Sequence, residues 1–414
     1  MTSNDWKEVQ LKDVILFNPR ESIKKGTMAK KISMDKLAPY QKKITGFEYA
    51  EFKSGTKFKN GDTLLARITP CLENGKTAQV DILDDNEIGF GSTEFIVMRE
   101  ISGISDNDFI YYLAISDDFR NIAIKSMTGT SGRQRVQMDV LEQTKLLIPP
   151  LREQKAIANI LSTLDEKIET NNQINEKLEE MAQALFKHWF VDFEFPNENG
   201  EPYKSSGGEM VESELGMIPK GWRVVKLKEI IEFIKNSTKP GEQLNNRKYV
   251  PIDTMPIKKL ILNSYKSYKE AKSSLILFEK YDILIGAMRV YFHRVNLAPF
   301  RGVTRTTTFV LRSKSLEDIS YNLLLLNMPS TISYADQSSI GSTIPYAVWE
   351  GGLGEMLLAQ PPIEIRKKFN NVIFPLLEKM ILNSQQNIRI QKIRDTLLPK
   401  LMSGEIRVPV EEEK

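Results

Sequence analysis

Apolar residues recur at alternating steps of four and three along two stretches of the chain. The first ladder runs Ile157, Leu161, Leu164, Ile168, Asn171, Asn175, Leu178, Ala182, Leu185, Trp189. The second runs Phe369, Ile373, Leu376, Met380, Asn383, Asn387, Ile390, Arg394, Leu397, Leu401. A strict seven-residue repeat leaves a helix one narrow apolar seam, which a single partner helix covers in a two-stranded coiled coil. Each ladder is entered through a proline pair, Pro149-Pro150 and Pro361-Pro362, and proline is tolerated at a helix start but not inside one. The spacing predicts helices of about 39 residues, roughly 58 Å long at 1.5 Å per residue.

Asn171, Asn175, Asn383 and Asn387 occupy seam positions, where a buried polar layer fixes register at some cost in stability. Parallel and antiparallel helices would both bring asparagines together. Chain connectivity favours antiparallel pairing, with partner numbers summing to about 558. Arg394 interrupts the second seam; its stem is expected on Leu164 and its charge near Asp165 or Glu169.

Outside the ladders the pattern changes period and repeats. Trp6–Ile15 reads WKEVQLKDVI and Trp222–Ile231 reads WRVVKLKEII; GFGSTEFIVMR at Gly89–Arg99 is matched by GVTRTTTFVLR at Gly302–Arg312. From Gly129, matched by Gly341, the offset locks at 212, so a rigid element follows a module of variable length. Short β-branched or aromatic runs such as Thr63–Ala66, Glu94–Met98 and Thr307–Leu311 read as strands, and Ile110–Ala114 and Asn322–Asn327 as short buried helices. The expected class is α+β: two mixed, sheet-rich modules separated by a long antiparallel two-helix coiled coil, with an internal pseudo-twofold repeat. The expected layout is a first module over 1–150, a helix over 151–190, a polar, glycine-rich linker over 191–221, a second module over 222–361, a helix over 362–404 and a tail over 405–414. The aromatic run Trp189–Pro196 fits packing of the first helix end on the second module, or docking of a partner.

Composition then narrows the function. With 414 residues, 41% hydrophobic and 27% charged, the chain is an ordinary globular one. No apolar run approaches the roughly 18 residues of a membrane span, and the N-terminus lacks a signal-peptide pattern, so a cytoplasmic protein is expected. Cys71 is the only cysteine, which excludes an internal disulfide and a cysteine-based zinc site. Net charge is only +3, but residues 221–360 carry about +7, residues 191–220 about −5, and Lys12–Lys59 is basic. Two separated basic blocks suit a partner with two phosphate-rich contact zones. Neither histidine, His188 or His293, neighbours a nucleophile; there is no phosphate-binding glycine loop, and the Pro-Pro pairs lack the flanking residues of amino-methyltransferase sites. No catalytic residue, metal site or cofactor is expected in this chain.

With these residues in view, the sequence resembles the specificity subunit of type I restriction-modification systems along essentially its whole length. The resemblance is carried by the W-x-x-V-x-L-x-[DE]-[VI]-I opening of each half, by Gly61-Asp62-x-Leu64-Leu65-Ala66-Arg67, by LIPPLREQKAIANIL at Leu147–Leu161 and by LPKLMSGEI at Leu398–Ile406. The second copy departs from it, reading QPPIEIRKKF and YDILIGAMR. The resemblance implies two target-recognition domains, each reading half of a bipartite, asymmetric site in double-stranded DNA. It further implies two modification (methyltransferase) subunits docked on the helices, supplying S-adenosylmethionine, and restriction subunits adding ATP- and Mg-dependent translocation and cleavage. A second function class stays open on the residues alone: a coiled-coil scaffold with two protein-binding heads, which would show no salt-dependent DNA binding.

Candidate DNA contacts are the arginine, lysine, glutamine and histidine side chains in or near the glycine-rich loops. They are Arg67, Lys76, Arg133, Gln134 and Arg135 in the first half and Arg289, His293, Arg294 and Arg305 in the second. Arginine and glutamine suit bidentate reading of guanine and adenine in the major groove, whereas lysine suits phosphate.

Overall fold

The computed structural model describes residues 5–409 except Ser131 and Ser342. It comprises two compact units, one of residues up to Lys167 together with those from Ile390 onward, the other Ile168–Arg389. No helix among the described residues is long and apolar enough to cross a membrane.

The first unit carries strands β1 (Lys7–Gln10), β2 (Ile15–Phe17), β3 (Met28–Ile32), β4 (Glu48–Glu51), β5 (Thr56–Phe58), β6 (Thr63–Ala66), β7 (Thr77–Gln79), β8 (Gly89–Gly91), β9 (Phe95–Glu100) and β10 (Lys145–Ile148). Helices α1 (Asn107–Ile115), α2 (Asp117–Lys125) and α3 (Met138–Gln143) precede the long α4 (Leu151–Phe186), whose start belongs to this unit. Two four-stranded sheets form, in the orders β2-β9-β6-β7 and β4-β3-β8-β5, and β1 pairs with β10. Every residue of β6 is buried, as a strand covered on both faces requires. Successive side chains point to opposite faces, so Leu64 and Val97 join Ile32 and Phe58 of the other sheet, whereas Leu65 and Ile96 join Phe109 and Tyr112 of α1.

The second unit repeats this plan. It contains β11 (Met210–Ser213), β12 (Gly216–Pro219), β13 (Arg223–Lys226), β14 (Ile231–Phe233), β15 (Ser237–Thr238), β16 (Lys248–Val250), β17 (Leu275–Phe278), β18 (Ile283–Gly286), β19 (Val295–Leu297), β20 (Gly302–Arg305), β21 (Thr308–Ser313) and β22 (Leu357–Gln360). Its helices are the single turn α5 (Leu227–Ile230), α6 (Ile319–Leu326), α7 (Pro329–Gln337) and most of α8 (Ile363–Met402). The sheet β14-β21-β18-β19 matches β2-β9-β6-β7, with Leu284 and Val310 on one face and Ile283, Ile285 and Phe309 on the other. The other sheet differs at its edge. In both units a central strand has one parallel and one antiparallel neighbour (β8 between β3 and β5, β20 between β16 and β17), but the fourth strand adds beyond β3 in one unit and beyond β17 in the other.

The two halves share a further element, a bidentate ion pair that ties the start of β6 to β9 and the start of β18 to β21. Asp62 receives Arg99 Nε and Nη2 at 2.6 and 2.7 Å; Asp282 receives Arg312 Nε and Nη2 at 2.7 Å each. Both carboxylates are about 1% exposed, so each depends on its arginine.

The segment expected as a linker over 191–221 is folded onto the second unit. After α4 the chain makes a π-helical turn, Lys187–Val191, and then Phe195 stacks on Tyr203 with ring centroids 4.5 Å apart and tilts against Trp222. The hairpin β11–β12 follows, with Ile218 buried. The polar composition concealed apolar residues spaced widely enough to seat one loop each.

Within the second unit the long helices run in opposite directions where they meet. Asn171 Nδ2 donates to Asn387 Oδ1 at 2.8 Å, and Asn383 Nδ2 to Asn175 Oδ1 at 2.9 Å; both pairs of numbers sum to 558. Asn387 also reaches Asn172 Oδ1 at 2.9 Å, and Asn175 reaches Ser384 Oγ at 3.3 Å. In the first unit Arg394 Nη1 meets Asp165 Oδ1 at 2.6 Å, and the same carboxylate accepts from Tyr112 at 2.7 Å.

Candidate nucleic-acid interface

Three loops converge in each unit. In the first, the loop leaving β6 pairs its backbone with the β8–β9 turn (Arg67 N–H to Glu94 O, 2.9 Å) and with the segment entering α3 (Val136 N–H to Arg67 O, 3.0 Å). Thr128 and Arg135 bridge the base of that third loop. In the second unit the corresponding bonds are Ala287 N–H to Thr307 O and Ala347 N–H to Ala287 O, both 2.9 Å, with Ile340 and Tyr346 closing the third loop. The repeat-matched glycines explain the sharp turn there. Gly129 and Gly341 hold φ of +131° and +92°, and a Cβ would lie 2.8 Å from the Arg133 carbonyl oxygen or 3.0 Å from that of Ile344.

The side chains on this shared frame differ. In the first unit Arg135 Nε lies 3.0 Å from both Glu94 oxygens, and its Nη2 lies 2.5 Å from Oε1. The Arg135 guanidinium, with Arg67 adding to it, holds the Glu94 carboxyl below the usual carboxylate range despite partial burial. Arg67 is half-buried, and its Nε is enclosed with no hydrogen-bond partner among the described residues. Gln134 is half-buried, its backbone exchanging hydrogen bonds with Thr69 at 3.1 and 3.0 Å, and Arg133 is exposed. Lys76 is turned inward, its Nζ donating to the Met34 carbonyl at 2.8 Å, which removes it from the exposed set.

By these backbone bonds the positions of Arg67, Glu94 and Arg135 fall in the second unit to Ala287, Thr307 and Tyr346, the last at an offset of 211 where the sequence repeat predicts 212; the Tyr346 hydroxyl donates to the Thr306 carbonyl at 2.7 Å. The positive charge lies instead on Arg289 and Arg305, both exposed. Arg289 and His293 flank a turn at φ of +52° and +56°, a conformation that residues with a Cβ seldom adopt. His293 Nε2 is engaged by Asn327 Oδ1 at 2.9 Å, and Arg294 donates from Nε to the Met255 carbonyl at 3.1 Å with its guanidinium over Phe292. Both side chains are held by the module. Tyr291 and Phe292 stand exposed beside them, with ring centroids 5.0 Å apart.

Of the nine residues singled out from sequence, the loop frame therefore gathers Arg67, Gln134 and Arg135 in one unit and presents Arg133, Arg289 and Arg305 to solvent, while Lys76, His293 and Arg294 are spent on internal contacts. Sequence reasoning missed Glu94, because a single acidic residue in a strand-like run gives no signal until its arginine partners are placed. No group of three or more metal-ligating side chains occurs among the described residues.

Comparison with known proteins accounts for this plan. The model of the type I restriction modification DNA specificity domain matches twice, over residues 3–180 and 219–392. The type I restriction enzyme MjaIX specificity subunit of Methanocaldococcus jannaschii is 30% identical over 318 residues, covering 73% of this chain and 69% of that protein. The HindI specificity subunit of Haemophilus influenzae is 27% identical, covering 84% of this chain and 87% of its own. Among solved structures, the type I restriction-modification S subunit from M. genitalium aligns over 96% of both chains with a TM-score of 0.57 at 15% identity, a likeness of fold. Two copies of one DNA specificity domain, each ending in a long helix, leave one assignment: the chain belongs to the family of type I restriction-modification DNA specificity subunits, the non-catalytic, sequence-recognising component of these enzymes.

Proposed function

We propose that each unit reads one half of a bipartite, asymmetric site in double-stranded DNA through its three converging loops, with α4 and α8 paired as an antiparallel coiled coil under a pseudo-twofold relation. The observation carrying this reading is the duplicated loop frame bearing different cations: Arg67, Arg133, Gln134 and Arg135 on one copy, Arg289 and Arg305 on the other. A common backbone frame suits a common ligand, B-DNA, while unlike side chains suit unlike half-sites. Arg133, Arg289 and Arg305, exposed and without side-chain partners among the described residues, serve phosphate or base edges; Lys76, His293 and Arg294 support the loops from behind. In this reading two modification subunits dock on the helices and bring S-adenosylmethionine, and restriction subunits bring ATP- and Mg-dependent cleavage, all in the cytoplasm where the host DNA lies.

The test is co-expression with the modification subunits of its own system, followed by genome-wide mapping of methylated adenines. The expected result is one motif made of two unlike half-sites around an unread spacer. Affinity of the assembled complex for that motif should fall by roughly a thousand-fold or more between 50 and 200 mM salt, as counterion release requires. A complex that binds equally at both salt concentrations and yields no motif supports the scaffold alternative.

A further inference from the structure

The Arg67–Glu94–Arg135 cluster goes further than the shared loop frame requires. Glu94 occupies the Nε/Nη2 edge of Arg135 and thereby fixes the plane of the guanidinium. The opposite edge, Nη1 with the second Nη2 hydrogen, makes no hydrogen bond among the described residues, and 47% of the side chain is exposed. An arginine held by one edge and open at the other presents two parallel donors in a fixed plane, which is the geometry that bonds guanine O6 and N7 together. Fixing it beforehand also removes the rotamer entropy that a free arginine loses on binding.

The charge balance points the same way. One carboxylate faces two guanidinium groups, leaving the cluster at net +1, and the enclosed Nε of Arg67 has no acceptor among the described residues. A partly buried cation whose donors lack partners is costly in the free protein and is relieved by an acceptor-rich ligand. The second unit has Ala287, Thr307 and Tyr346 at these places, so no such device exists there.

Resting on the DNA-reading function above, we infer that Arg135 reads a guanine in the first half-site and that Glu94 is the positioning residue that makes this reading specific. Arg67 supplies the second charge that keeps Glu94 ionised and the cluster positive when DNA arrives.

The experiment compares wild type, Glu94→Ala, Glu94→Gln, Arg135→Ala and Tyr346→Phe, each co-expressed with the modification subunits, and sequences methylated adenines genome-wide. Wild type is expected to give two half-sites with a G·C pair in the first. Glu94→Ala and Arg135→Ala are expected to lose discrimination at that one pair, by roughly 5- to 150-fold, with every other position unchanged. Glu94→Gln, which retains hydrogen bonding without the charge, is expected to fall between. Tyr346→Phe is expected to leave the first half-site intact. A folding role for Glu94 would lower methylation evenly at all positions, and that outcome overturns the inference, as does an unchanged motif or a first half-site made only of A·T pairs. A wild-type chain that yields no bipartite motif overturns the DNA-reading function itself and is separable from these results.

Discussion

At the end of α4, Phe190 packs against Phe369, Tyr321 and Trp222 with ring centroids 4.8, 5.0 and 6.1 Å away, and Trp189 lies 5.4 Å from Phe369. At the positions matching Trp189 and Phe190 near the end of α8, 212 residues on, stand Leu401 and Met402, and the position of Phe369 falls to Ile157. Aliphatic side chains fill this junction in the first unit, and a charged knot stands beside them. Glu153, 3% exposed, accepts Trp6 Nε1 at 2.9 Å and Arg407 Nε and Nη2 at 2.7 and 2.8 Å. Arg407 sits 5.5 Å over the Trp6 ring, and Phe195, its counterpart, lies 5.5 Å from Trp222. The duplicated fold thus constrains which volumes meet and leaves the chemistry of each meeting free.

The helix seam shows the same divergence. Arg394 and Asp165 form a largely buried ion pair in the first unit, while the equivalent positions in the second are Ala182 and Leu377, both fully buried in its core. An ion pair and an aliphatic contact serve one geometric slot.

The comparison is broken most forcefully at the aromatic junction. Phe369 is fully buried, so Phe369→Ala should remove about 3–5 kcal/mol from the second unit. Denaturant unfolding followed by tryptophan fluorescence should show this loss, while the same truncation at Ile157→Ala costs the first unit about 2–4 kcal/mol through its own transition. Equal costs from the two substitutions in one shared transition would mean the junctions are not separate structures.

The seam gives the next largest effect. Arg394→Ala leaves Asp165 enclosed beside Tyr112 without its cation and should cost about 3 kcal/mol. Adding Asp165→Leu imports the pairing of the second unit and should recover most of that loss, because replacing both partners of a buried ion pair by apolar groups is close to neutral. A double variant as unstable as the single one would show that the slot depends on charge and not on volume.

Much of this was legible in the sequence because periodicity and repetition report backbone geometry. The heptad ladders placed both helices, and antiparallel pairing with partner numbers summing to about 558 placed Asn171 opposite Asn387, since register in a seam is set by counting residues. The proximity of Arg394 to Asp165 followed from the same count. The loops were less legible. Their glycines announced turns, but which side chains stay free depends on partners supplied from elsewhere: the Met34 carbonyl for Lys76, Asn327 for His293, the Met255 carbonyl for Arg294. None of those partners has a sequence signature. Beyond the aromatic run Trp189–Pro196, the stretch up to residue 221 did not advertise its folding, because Tyr203, Val211 and Ile218, scattered among polar residues, read as solvent-exposed until the core of the second unit is there to receive them.

The finest distinction between the units is a single hydrogen bond. Trp6 and Trp222 open the two copies and are 7% and 5% exposed, so they bury nearly the same area. Trp6 Nε1 has Glu153 as its acceptor; Trp222 Nε1 is enclosed without one among the described residues, because Ile365 stands where the first copy has Glu153. Replacing tryptophan by phenylalanine removes similar apolar area in both cases, so that part of the cost cancels on subtraction. What remains is the bond to a charged acceptor in the first unit, worth about 1.5–3 kcal/mol, against relief of an unsatisfied donor in the second, which is favourable. Trp6→Phe should therefore destabilise its unit more than Trp222→Phe destabilises the other, by about 2 kcal/mol. Ile365→Gln should supply Trp222 with an acceptor and narrow the gap, since Trp222→Phe made on that background would then lose a bond as well. Unfolding measurements on the four variants decide it: equal costs for the two tryptophans would mean that Glu153 is held by Arg407 alone and that the indole contributes only its area.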